Sequence, residues 1–123
     1  MTAEELRHVS GGVIGHFTPK ERTFDVKENL ENYKQGNNTI GLRVPAGKFL
    51  VGAYIKNPKN DLAGGNVGVK VGETVVVEAS NVKGTGSAYI LQQPLYLATA
   101  TEVELAVTAD LTAGNLTVGV IYA

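Results

Sequence analysis

The sequence predicts an all-β domain, an antiparallel sandwich or barrel of about seven or eight strands behind an irregular N-terminal arm. Three observations carry that expectation. From Thr39 to Ala123 apolar residues alternate with polar or small ones at a period of two, as in strands with one buried face. The alternating runs are short and separated at regular spacing by Gly, Pro, Asn and Asp, which favours hairpins over helical crossovers. No convincing helical period interrupts them. The 123 residues, 43% hydrophobic and 19% charged, suit one globular domain with an ordinary core.

The elements follow in order. Ile40, Leu42 and Val44 alternate with Gly41 and Arg43, and Val44-Pro45-Ala46-Gly47 then supplies a turn. Phe49, Val51, Ala53 and Ile55 form the next set, which ends at Asn57-Pro58. Asn57 to Asn66 is rich in Pro, Asn, Asp and Gly and reads as a loop. Val67, Val69 and Val71 lead through Gly72-Glu73 into Val75, Val77 and Ala79. Asn81 to Ser87 reads as a second polar loop, followed by a strand around Ala88 to Gln92. Pro94 interrupts that strand before Leu95-Tyr96-Leu97, so an edge position or a bulge is expected there. Val103, Leu105 and Val107 alternate with Glu102, Glu104 and Thr108, and after a turn over Asp110 to Asn115 the chain closes on Leu116, Val118, Val120 and Tyr122. Gly41, Gly52, Gly68 and Gly119 lie inside strands, where glycine marks a bulge, a bend or a close backbone approach.

Residues 1–36 have a different texture and are assigned to the arm, leaving 37–123 for the sandwich. Thr2-Ala3-Glu4-Glu5 has the form of a helix start, but Ser10-Gly11-Gly12 stops it within two turns. A short helix is expected over Glu28 to Gln35, ending at Gly36. Val13, Ile14 and Phe17 are apolar without a strand pattern. The segment either packs on its own domain or reaches a neighbour.

Composition removes several function classes. There are no cysteines, which excludes disulfides, Cys-containing zinc sites and thiol nucleophiles. Eleven basic and twelve acidic residues give a net charge of −1, with the cations scattered singly, so no nucleic-acid partner is expected. The acidic N-terminus is not a signal peptide, and no window has the apolar length of a membrane span, so a soluble protein made in the cytoplasm is expected.

Constellations for chemistry fail in turn. His8 and His16 have no obvious third ligand, and no metal or cofactor is expected. Ser10 and Ser80 lack the Gly-x-Ser-x-Gly elbow of a nucleophile. Gly84-Thr85-Gly86-Ser87 lacks the Lys of a phosphate loop. Glu102 and Glu104 share one side of one strand, the pattern of a solvated sheet face and not of a glycosidase pair. Asn57, Asn60 and Asp61 could offer oxygens to calcium, but they lack the ligand spacing of an EF-hand. Tyr54, Tyr89 and Tyr96 sit in strands, where core or interface packing is the commoner role of a ring. The balance points to a protein that presents surfaces and is no enzyme.

Val44-Pro45-Ala46-Gly47, Pro94-Leu95-Tyr96-Leu97 and the run from Leu111 to Tyr122 together resemble small tailed-bacteriophage head proteins. These are decoration (cement) proteins and the capsid-anchoring parts of head fibres. The likeness covers Thr39 to Ala123 and rests on turn-and-strand rhythm. It implies a β-sandwich, jelly-roll-like, on the outer face of a capsid in the virion, made in the host cytoplasm. It also implies the major capsid protein as partner, a homo-oligomer with a trimer favoured, and stabilisation of the shell by bridging capsid subunits. In that setting Val13, Ile14, Phe17 and Tyr33 are the expected partner contacts. The alternative is a carbohydrate- or receptor-binding module of a head fibre or tail, with its groove near Asn57–Asn66 or Asn81–Ser87.

Overall fold

The computed structural model describes residues 17–123. Among these residues there are eight strands: β1 (Thr18–Asp25), β2 (Gly36–Val44), β3 (Lys48–Asn57), β4 (Val67–Val71), β5 (Thr74–Ser80), β6 (Gly84–Leu97), β7 (Thr101–Val107) and β8 (Asn115–Tyr122). They form two four-stranded sheets, sheet A in the order β1-β8-β3-β6 and sheet B in the order β2-β7-β4-β5. Every pairing is antiparallel. This strand order is that of a jelly roll, so the expected all-β sandwich is the observed fold. Among the described residues no helix is long and apolar enough to cross a membrane.

The alternation read from the sequence becomes the core. Leu50, Ala53 and Ile55 of β3 and Leu116, Val118, Val120 and Tyr122 of β8 face Val67, Val69 and Val71 of β4 and Val103, Leu105 and Val107 of β7, all buried. A leucine or valine taken from water to such a site contributes about 1.5–3 kcal/mol, which is what selects this register over one slipped by a residue. On the outer face of sheet B charge alternates across strands instead. Arg43 pairs with Glu102, and Glu104 lies opposite Lys70. Glu102 and Glu104 therefore sit on a solvated face, as their spacing suggested.

Two strand glycines show why no side chain fits there. Gly41 has φ +79° and sits in a β-bulge between Thr39 and Leu42. At Gly119 the Tyr54 ring occupies the place a Cβ would take, so only glycine lets the ring pack this closely on β8. Pro94 sits on an edge strand as expected, and in a register break as well. The pairing of β3 with β6 runs from Leu50↔Leu95 straight to Gly52↔Ile90, which leaves Leu91 to Pro94 bulged.

The region before residue 37 departs from expectation. Thr18–Asp25 is a full strand of sheet A, paired with β8 from Thr18↔Tyr122 to Asp25↔Asn115. Among the described residues the sandwich already includes Thr18–Asp25, so this part of the expected 1–36 arm is sheet instead. The helix expected over Glu28–Gln35 is instead two 3-10 turns, Val26–Glu28 and Leu30–Asn32. Asn29 breaks the helical path between them with φ −155° and ψ 75°, consistent with the weak helix preference of Asn. Gly84 to Ser87, expected in a loop, is the start of β6.

Candidate functional site

The two lateral sides of the sandwich are built differently. On one side β1 and β2 are the edge strands, and the space between them is filled. Phe24 of β1 stacks on Tyr33, centroids 5.2 Å apart and planes 4° from parallel. The Arg22 guanidinium covers the Phe24 ring at 5.6 Å and donates to the carbonyl of Ile40 in the neighbouring sheet. Backbone bonds from Val26 N to Gly114 O (2.8 Å) and from Leu111 N to Tyr33 O (3.0 Å) tie the 3-10 turns to the β7–β8 connection. Burial holds the Tyr33 hydroxyl above the ordinary tyrosine pKa, with the Arg22 charge opposing that rise. Tyr33, expected as a partner contact, is 5% exposed and belongs to the core.

On the other side β5 and β6 are the edges, and between them runs an open groove of about 680 Å³. Its walls are the β5 segment Val75–Ser80 and Ser87, Ala88, Tyr89 and Leu91 of β6. Tyr89 is opposite Ala53, an inward position, yet it is 47% exposed because no described residue covers the edge. Val75 is similarly exposed on the facing strand. The 14 residues of β6 contain no charged side chain.

The outer face of sheet A divides into two halves. Towards one end it is polar: Thr23 and Thr117 share a hydrogen bond of 2.9 Å, the Tyr54 hydroxyl donates to the Glu21 carboxylate, and the Lys56 ammonium lies 5.1 Å from the Tyr54 ring. Burial and then the Glu21 carboxylate push the Tyr54 hydroxyl up to about 12. Towards the other end the face is apolar. Pro19, Ile121, Gly52 and Ile90 stand in one row across the four strands. Phe49 and Tyr96 are cross-strand partners with centroids 5.2 Å apart. Phe49, Ile90 and Tyr96 are 41%, 56% and 55% exposed, high values for two rings in contact and an isoleucine on the same sheet face.

The loop considered for calcium has another role. Asn57 is fully buried, donates to Val82 O at 3.2 Å and accepts from the Asp61 amide. Asn60 accepts from the Gly84 amide at 2.7 Å. Both carboxylate oxygens of Asp61 accept from Asn115, and these bonds hold its pKa below the usual carboxylate range. The loop oxygens are thus spent on joining β3, β6 and β8. Among the described residues no three His, Asp or Glu side chains converge, and no buried side-chain polar atom lacks a partner. A shallow polar hollow of about 350 Å³ lies at Glu31, Asn32 and Asn37–Thr39, without an exposed ring beside it.

Of the expected partner contacts, Val13 and Ile14 lie outside the described residues, as do His8 and His16. Phe17 is 41% exposed and immediately precedes Thr18, whose row across sheet A is Tyr122, Leu50 and Leu95. It therefore enters the fold at the apolar end of the sheet. Sequence reasoning placed Phe49 in an alternating strand set and Tyr96 in core or interface packing, and it did not single out Ile90; the absence of charge from 84 to 97 is the available signal for Ile90 and Tyr96. No protein-family model, curated protein or solved structure matches the chain.

Proposed function

We propose that this protein is a structural binding module, without catalytic activity, that presses the apolar end of sheet A against another protein. The observation that supports this is the exposed cluster of Phe49, Ile90 and Tyr96, continued across the sheet by Ile121 and Pro19. Rings that touch each other on a rigid sheet form a preorganised anchor, since little side-chain freedom remains to be lost on docking. Burying them removes on the order of 300 Å² from water, a gross gain of roughly 7 kcal/mol before the cost of association. One such contact is modest, and repetition over a lattice multiplies it.

A lattice partner is what the resemblance of residues 39–123 to phage head proteins suggests. In this reading the protein decorates the outer surface of a capsid in the virion, contacts the major capsid protein and bridges its subunits. Phe17, beside the apolar end, is where the preceding residues would extend the contact. Cosedimentation with empty capsids of the same genome tests the reading. The wild type is expected to pellet with capsids, and Phe49→Asp and Tyr96→Asp to lose at least tenfold in affinity while keeping their circular dichroism. Wild-type protein that stays in the supernatant would sink the capsid role, and unchanged binding by both variants would sink the face.

A further inference from the structure

We propose that the edge of β6 is a self-association site, at which a second copy of this chain pairs antiparallel along Ala88–Ile90, centred on Tyr89. An edge strand exposes a row of backbone donors and acceptors ready to template another strand, and folded proteins ordinarily blunt it. Of the four edges among the described residues, three are blunted. β1 carries Lys20, Glu21 and Arg22 in succession, β2 is bulged at Gly41 and carries Arg43, and β5 carries Glu78 and is bulged against β4. β6 has no charge over its whole length. Its irregular points, Gly84 and Gly86 with positive φ and the bulge over Leu91 to Pro94, bracket the regular stretch Ser87–Ile90 and fix where pairing can occur.

The chemistry of this stretch favours its own copy over a different partner. Ser87, Ala88, Tyr89 and Ile90 offer no charge for a complementary protein to recognise and none to repel an identical strand. Antiparallel pairing of identical strands about a two-fold axis lets each copy present the same surface. Centred at Tyr89, it sets Ala88 opposite Ile90 of the other copy and joins the two A sheets edge to edge. It also brings each Tyr89 ring, now at the mouth of an unfilled groove, under the cover of the other copy. The half-exposed Tyr89, Ile90 and Val75 with the strand edge amount to roughly 500 Å² on each copy, near the lower bound of a stable interface. Ile90 is common to both surfaces, whereas the Phe49–Tyr96 pair falls beyond the paired stretch and stays open for the surface contact proposed above.

A two-fold contact closes at two copies, which sets it apart from the trimer implied by the phage resemblance. Sedimentation equilibrium over micromolar to millimolar concentrations provides the first test. The wild type is expected to be a dimer, Tyr89→Lys a monomer with unchanged circular dichroism and melting, and Tyr96→Asp a dimer still. Because the chain lacks cysteine, a second measurement needs no background correction. Ala88→Cys, Tyr89→Cys and Ile90→Cys, made singly, should include at least one that forms a disulfide-linked dimer under mild oxidation, and Lys20→Cys on the opposite edge should not. A wild-type monomer at all concentrations, a trimer, or a dimer that survives Tyr89→Lys with none of the three cross-linking would overturn the inference. Capsid binding by a monomeric wild type would leave the surface-docking reading standing, so the two proposals fail separately.

Discussion

The β1–β2 side and the β5–β6 side of this jelly roll solve the same problem in opposite ways. Each must close the gap where two sheets end. On the β1–β2 side an aromatic stack, a guanidinium and two 3-10 turns fill the gap and give its polar groups partners. On the β5–β6 side the gap stays open, lined by valines, a leucine and a half-exposed tyrosine. The first arrangement uses residues for stability. The second leaves apolar surface in water, a cost that function commonly explains. The comparison therefore separates residues expected to hold the fold from those expected to matter for docking under the proposals above.

The largest expected effect is on the closed side. Phe24→Ala removes a buried ring and leaves Tyr33 without its stacking partner, and it should cost about 3–5 kcal/mol of unfolding free energy. Tyr89→Ala, a comparable truncation on the open side, should cost under about 1 kcal/mol in the monomer because half of that ring is already in water. Urea titrations of both variants under monomeric conditions measure the gap between them. Equal losses would mean that the open side carries stability too.

This asymmetry also explains what could be read from the sequence. Strands β2, β4, β7 and β8 announce themselves because one face of each is buried, and burial imposes the period of two. In β5 the buried residues are the adjacent Val76 and Val77, with Val75 and Ala79 of the alternating set exposed; in β3 the register break at Val51 puts Phe49 on the outer face and Leu50 in the core. β1 does not announce itself, because it is an edge strand whose inward positions Lys20 and Arg22 lie at the rim, leaving Phe24 as its one fully buried side chain. Tyr33 could be mistaken for a surface contact because its partner Phe24 is nine residues away, across two turns that no local period describes. On β6 the alternation of Tyr89, Ile90 and Leu91 is absent, since apolar residues occupy both faces. That run can be read as core or as interface, and only the topology, which puts β6 at an edge, separates the two.

A smaller effect sharpens the account of how the closed side is sealed. Arg22→Ala deletes the bond to the Ile40 carbonyl and the cation over Phe24, and should destabilise by about 1 kcal/mol because the side chain is partly in water. Arg22→Lys should recover little of this, since an ammonium lacks the planar fork that spans ring and carbonyl together. Both losses are read from urea midpoints. A lysine variant as stable as the wild type would reduce the role of Arg22 to charge alone.

The smallest effect is a dependence on alkaline pH that belongs to the closed side. Burial favours the neutral Tyr33 hydroxyl, so its folded pKa lies above the ordinary value of 10.0. A group whose folded pKa is raised contributes stability that is fully present below the unfolded value and is lost as pH rises through the folded one. Wild-type stability should therefore fall between pH 10 and the upper end of the tyrosine range, with Tyr54, at about 12, contributing in the same direction. Tyr33→Phe keeps the stack on Phe24 and removes the ionisable oxygen, so its stability should decline less over that window. Urea midpoints at pH 8, 10 and 11 (compared between wild type and Tyr33→Phe) test this, and parallel declines would place the alkaline sensitivity elsewhere than at the stacked pair.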